Sequence, residues 1–166
     1  MRILFYIIWL LLLTVFQPTL ARGIAIFSVA PNLFICFVVM CGFFRGKYEA
    51  GICGAVFGLV YDLLVGRLIG ISCISFLYIG FGAGLLSEHF VSSGKRFAGV
   101  LAAAAATVVF GLIYYAVNNI VYGNISFVTA FFRITVPEAV YNGIMGFVLS
   151  FPMLWSMKLM KMERIS

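Results

Sequence analysis

Apolar residues run through this chain in six consecutive stretches, each near the roughly 20 residues that a helix needs to cross the ~30 Å hydrocarbon core of a bilayer. They are Ile3 to Ala21, Ile24 to Phe44, Tyr48 to Val65, Leu68 to Phe90, Phe97 to Val117, and Ala139 to Met157. Of the 166 residues 64% are hydrophobic and 10% charged, against about 25% charged in an ordinary globular chain. No stretch remains that could fold separately in water, which excludes a soluble catalytic domain. The expected fold class is therefore all-α: a polytopic membrane protein of about six transmembrane helices, with residues 1–166 forming one integral membrane domain.

The formal net charge of +6 does not point to nucleic acid, because the bases are scattered between apolar runs and form no patch interleaved with aromatics. They read as topology signals instead. Arg2, Arg45, Lys47, Lys95, Arg96, Lys158, Lys161 and Arg164 fall on one side of the six segments, and only Arg22, Arg67 and Arg133 on the other. By the positive-inside rule both termini are cytoplasmic, which requires an even number of spans. "MRILFYIIWLLLLTVFQPTLA" has features of a cleavable leader, but a retained first span explains the same residues and fits the charge count. Cys36, Cys41, Cys53 and Cys73 lie inside apolar segments without CxxC spacing, so they read as small apolar fillers and imply neither a disulfide framework nor a metal site.

Two segments are irregular. Pro31 lacks an amide donor, so the second helix is expected to begin near it, with Gly23 to Ala30 as a connection at the outer surface. In "NNIVYGNISFVTAFFRITV", Asn118, Asn119, Gly123 and Asn124 end one helix. Phe127, Phe131, Phe132 and Arg133 then suit a helix lying flat at the outer interface. "VLAAAAATVV" reads as a close-packing face, and His89 beside Glu88 as an interfacial pair.

The densest cluster of special residues is in the third span. At about 100° per residue, Gly51, Gly54, Ala55, Gly58, Asp62 and Gly66 fall within one arc of roughly 120°. A face so bare of side chains lets a neighbouring backbone come close, which is how helices associate in lipid. The third and fourth helices should form a tight hairpin. Asp62 lies on the bare face near the outer surface, where an unpaired carboxylate would cost a few kcal/mol. Its candidate partners are Arg67, Arg133 and Arg22, or the free amides at the start of the fourth helix. Tying the hairpin together is one role for Asp62; a cation, proton, partner or ligand site is the other. In the last span Pro137 and Glu138 suit a helix's first turn, and Asn142 needs a buried partner that would link two helices. No paired carboxylates, serine triad, HExxH or P-loop is present, so no catalytic residue, metal or cofactor is expected.

The short length, about six spans, "PNLFICFVV", "GAVFGLVYDLLVGRLIGI" and "VPEAVYNGIMGF" together resemble the bacterial rod shape-determining protein MreD family, in register from about Pro31 to Leu159. Gly58, Asp62, Gly66 and Gly70 match the family's central motif, Pro31 and Asn32 the start of its second span, and Pro137, Glu138 and Asn142 the start of its last. The resemblance implies a non-enzymatic subunit of the machinery that elongates the peptidoglycan wall and sets cell shape, in the bacterial cytoplasmic (inner) membrane. It implies binding to the bitopic protein MreC and association with MreB filaments, the glycosyltransferase RodA and a class B penicillin-binding protein. It also implies a fold similar to the substrate-binding subunits of energy-coupling-factor transporters. The alternative reading is such a vitamin-type transporter subunit, with Asp62 and Arg133 in an outer pocket. Against it, "ILFYIIWLLLLTVF" lacks the AxxxA spacing with which the related transporter subunits meet their coupling partner.

Overall fold

A computed structural model describes residues 2–23, 29–65, 69–90, 94–123 and 126–160, the side chains of 20–22 excepted. Its described elements are helical throughout: α1 (Arg2–Gly23), α2 (Leu33–Arg45), α3 (Lys47–Val65), α4 (Ile71–Ser87), α5 (Lys95–Tyr122), α6 (Phe127–Ala130), a π-helical turn (Phe131–Thr135) and α7 (Val136–Leu159). Among the described residues four stretches are long and apolar enough to cross a membrane, at Arg2–Thr19, Lys47–Val65, Lys95–Tyr122 and Phe127–Leu159. The other two apolar helices, α2 and α4, have only 13 and 17 residues. At 1.5 Å per residue they fall short of the ~30 Å core on their own.

Protein, not lipid, surrounds α2. Every residue from Leu33 to Phe43 is buried, as expected of a helix that is hydrophobic all round. It packs against α3, α4, α5 and α7. Aromatic rings fill the space beside it: Phe37 stacks on Phe57 with centroids 5.0 Å apart, and Trp9 lies 5.1 Å from Phe37. Phe76 and Phe110 meet at 5.2 Å. From α1, Phe5, Trp9 and Leu13 are buried in this core, one residue per turn, with Tyr6 and Leu10 half-buried against it, while Ile3, Leu4, Leu11 and Val15 stay exposed. A narrow buried stripe with apolar residues on the remaining surface is the signature of a helix set against lipid.

The chain between Ser126 and Leu159 departs from the sequence expectation. Instead of a separate interfacial helix, α6 and the π-helical turn run directly into α7 as one continuous 33-residue helical stretch. Pro137 explains the junction. It has no N–H to give the carbonyl four residues back, and a wider turn upstream absorbs that loss without breaking the helix. Thr135, at the end of the wide turn, packs its side chain against Gly111 of α5, where an added Cβ would lie 2.6 Å from the threonine methyl.

Candidate functional site

The α3–α4 hairpin is the closest helix pairing in the molecule, and glycines on both helices make it so. A Cβ placed on Gly54 would overlap the Phe76 carbonyl, and one on Gly58 the Ser72 carbonyl. From the opposite side, Gly80 faces the Ala50 carbonyl and Gly84 the Lys47 backbone. Gly51 makes only ordinary contact, 3.7 Å from Phe81 Cβ. The sequence places the bare face on α3 and continues the small-residue habit into the fourth span with "GFGAG"; Gly80 and Gly84 of that stretch give α4 a matching face.

Asp62 ends this seam. It is 4% exposed, and its carboxylate accepts backbone N–H bonds from Gly70 at 2.7 Å, from Ser72 at 3.1 Å and from Cys73 at 3.3 Å. The acid thus occupies the start of α4, where unpaired amides and the helix dipole favour an anion. Gly70 reaches its place with a φ of +105°, a left-handed conformation that a side chain would strain. Of the other candidate partners, Arg133 is exposed on the π-helical turn and makes no bond to Asp62. Gly66, Arg67 and the Arg22 side chain lie outside the described residues. The opposite end of the hairpin is held by an ion pair between Lys47 Nζ and Glu88 Oε1 at 3.1 Å.

A second polar centre gathers Pro31, Asn32, Glu138 and Asn142 at the same end of the bundle as Asp62. Asn32 caps α2, its side chain accepting the Ile35 N–H at 3.2 Å, a usual N-cap arrangement. Its backbone N–H donates to Asn142 Oδ1 at 2.7 Å, and Asn142 Nδ2 donates to Thr107 Oγ1 at 2.7 Å. One buried carboxamide thereby joins α2, α5 and α7. Gln17 of α1 completes the cap: Nε2 donates to the Pro31 carbonyl and Oε1 accepts the Leu33 N–H, both at 2.9 Å.

Sequence reasoning missed Gln17 and Thr107. Gln17 had a visible signal, being the single carboxamide in the first apolar run, and a polar side chain there needs a partner. Thr107 had none, since a hydroxyl on a membrane helix ordinarily bonds its own backbone, as this one also does to the Ala103 carbonyl at 2.8 Å.

Between α1, α3 and the start of α7 lies a cavity of about 370 Å³, lined by Gln17, Pro18, Val29, Ala30, Asn32, Tyr61, Leu64, Val65, Ile134 and Glu138. Neither Asp62 nor Arg133 is among its lining residues. Two shallower, almost wholly apolar troughs of about 380 and 470 Å³ adjoin along α4 and α5, sharing Leu86, Ala102 and Ala105. Among the described residues no three His, Cys, Asp or Glu side chains gather as metal ligands would.

The chain compared with known families gives one match that covers nearly all of it: the family model for rod shape-determining protein MreD aligns with residues 1–162. The chain belongs to the MreD family. No curated protein and no solved structure matches it. MreD membership assigns it to the machinery of rod-shape determination as a membrane protein, in keeping with its four long apolar helical stretches. In this MreD-family chain the central motif and the start of α4 form a single hydrogen-bonded unit, with Asp62 and Gly70 as two of its members. The starts of α2 and α7 meet in another, through Asn32 and Asn142.

Proposed function

We propose that this protein is a non-enzymatic subunit of the bacterial cell-wall elongation machinery. In this reading it lies in the cytoplasmic membrane as a single domain of six membrane helices, with both termini in the cytoplasm and a fold akin to energy-coupling-factor substrate-binding subunits. It binds MreC directly and reaches MreB, RodA and a class B penicillin-binding protein through the complex. The family match over residues 1–162 carries the reading. The distribution of bases supports this orientation, in which the Asp62 end of the bundle faces outside. The two short helices fit as spans because α2 is sheathed by protein and α4 is clasped to α3.

On this reading Asp62, Gly54, Gly58, Gly66 and Gly70 keep the α3–α4 hairpin closed, and Pro31, Asn32, Pro137, Glu138 and Asn142 organise the second centre. Their work is to hold a rigid lateral surface for partner helices, since association in lipid relies on close packing rather than on burial from water. The test is co-purification of MreC with the tagged protein from membranes. MreC should be retained by the wild type and lost when the α3–α4 hairpin is disrupted by Gly58→Leu. Failure of MreC to co-purify with folded wild type overturns the proposal. Reporter fusions at both termini that function only outside the cytoplasm should be silent, and activity from either one overturns the topology.

A further inference from the structure

The 370 Å³ cavity at the Asp62 end contains polar groups that the fold leaves unused. Asn32 is 1% exposed. Its Oδ1 must be the oxygen, because it accepts the Ile35 N–H and a flipped amide would set donor against donor. The other amide atom, Nδ2, is therefore a buried donor, and among the described residues it has no hydrogen-bond partner. Buried polar groups in folded proteins are almost always paired, so an orphan of this kind calls for an occupant. Gln17, its polar neighbour in the cavity wall, cannot serve, since both ends of its carboxamide are already committed to Pro31 and Leu33.

Glu138 lines the same cavity, and among the described residues its carboxylate takes part in no hydrogen bond or ion pair. An ionised carboxylate only accepts, whereas Asn32 Nδ2 only donates. Around these two groups and Gln17 the wall is largely apolar, formed by the Tyr61 ring, Pro18, Val29 and Ala30, with Leu64, Val65 and Ile134 at its exposed rim. A few converging polar groups in an otherwise apolar cavity of several hundred cubic ångströms is the ordinary composition of a small-ligand site.

We infer that this cavity binds a primary ammonium group carried beside an oxygen acceptor on a partly apolar molecule. The ammonium bonds Glu138 and balances its charge, the oxygen accepts a hydrogen bond from Asn32 Nδ2, and the hydrocarbon part lies against Leu64, Val65 and Ile134. Two sources supply that chemistry at a membrane surface: the head group of an ethanolamine phospholipid, and a free water-soluble amine such as phosphoethanolamine. The site is independent of MreC binding, and its failure leaves the elongation role standing.

The test uses purified full-length protein in detergent, delipidated and titrated in parallel with phosphatidylethanolamine, phosphatidylcholine and phosphoethanolamine. Retention is read by native mass spectrometry, and stabilisation by the thermal unfolding midpoint. Phosphatidylethanolamine is expected to stay bound at one per chain and to raise the midpoint, while phosphatidylcholine, whose trimethylated nitrogen has no proton to donate, does neither. Glu138→Gln should weaken retention about tenfold, the loss of one charge-assisted bond. Ile134→Trp, which fills the cavity from its exposed rim, should abolish retention and provides a second arm if Glu138→Gln does not fold. A response to phosphoethanolamine equal to that of the lipid assigns the site to a soluble amine; a response to the lipid alone assigns it to the bilayer. Equal retention of phosphatidylcholine, retention of neither amine, or undiminished binding by both variants overturns the inference.

Discussion

The backbone N–H of Asn32 donates to the side-chain oxygen of Asn142 at 2.7 Å, across 110 residues of sequence. This contact fixes where α2 begins relative to α7, and both residues are essentially inaccessible, at 1% and 0% exposure. Replacing the acceptor by an apolar group of similar shape leaves the Asn32 donor buried and unpaired. Asn142→Leu is expected to cost about 1–3 kcal/mol, seen as a lowered unfolding midpoint by circular dichroism in detergent. Thr107→Val, which removes the acceptor of Asn142 Nδ2 and the hydroxyl's bond to the Ala103 carbonyl but leaves the Asn32–Asn142 bond in place, should cost less. A Thr107→Val loss equal to or greater than that of Asn142→Leu contradicts this assignment of roles.

Glycine substitutions on the hairpin separate packing from helix propensity. Gly58→Ala drives a methyl group into the Ser72 carbonyl, a backbone atom that cannot swing aside, and should cost about 1–3 kcal/mol or more. Gly82→Ala on α4 meets nothing within 4 Å and should be neutral or gain up to about 1 kcal/mol from propensity. Thermal unfolding of the two variants side by side checks the contrast, and matching losses would show that the seam is looser than described.

Asp62 is bound through its acceptor atoms, so graded substitutions should give graded losses. Asp62→Ala leaves the Gly70, Ser72 and Cys73 amides without their shared partner and is expected to lose about 1.5–3 kcal/mol, as for hydrogen bonds to a charged group. Asp62→Asn retains one carbonyl oxygen and should lose less. Comparison of unfolding midpoints decides the point: an Asp62→Asn variant as damaged as Asp62→Ala would mean that charge, not acceptor geometry, is what the site requires.

The two glutamates at the other end of the bundle should behave differently. Glu49 accepts a two-pronged bond from Arg45, whose side chain is 2% exposed, and also takes the Tyr6 hydroxyl at 2.9 Å. Glu88 pairs with Lys47 while 51% exposed. Glu49→Gln is expected to destabilise by about 1–3 kcal/mol and to depend only weakly on ionic strength, because the Arg45–Glu49 pair is partly buried. Glu88→Gln should fall within about 1 kcal/mol and fade as salt is raised. Unfolding midpoints at low and high salt measure both.

Local features were legible in the sequence and long-range ones were not. The spacing of Gly54, Gly58 and Asp62 placed three residues on one face of α3, because a helix converts sequence spacing into geometry directly. The "GFGAG" of α4 continued the same small-residue habit, but its spacing could not say that Gly80 would face the Ala50 carbonyl and Gly84 the Lys47 backbone. Segment lengths were overread where an apolar run continues past a helix end. Leu68 to Phe90 looked like a full span, yet the left-handed turn at Gly70 starts α4 only at Ile71. Phe127, Phe131, Phe132 and Arg133 suited a helix lying flat at the outer interface by composition, yet the π-helical turn carries them straight into α7. The cavity beside Glu138 was invisible for a simpler reason. Its walls come from residues as far apart as Gln17 and Glu138, and nothing in their spacing says that they meet.

The reach of the Asp62 clasp has a consequence for the order of assembly. The carboxylate and the amides it holds are only 8 to 11 residues apart in the chain, so closing that loop costs little entropy compared with the 110-residue loop between Asn32 and Asn142. The α3–α4 hairpin has all its own fastenings once synthesis has passed Glu88. A growing chain therefore holds a finished rigid wedge before α5 and α7 exist, and the later helices arrive at a surface that is already set.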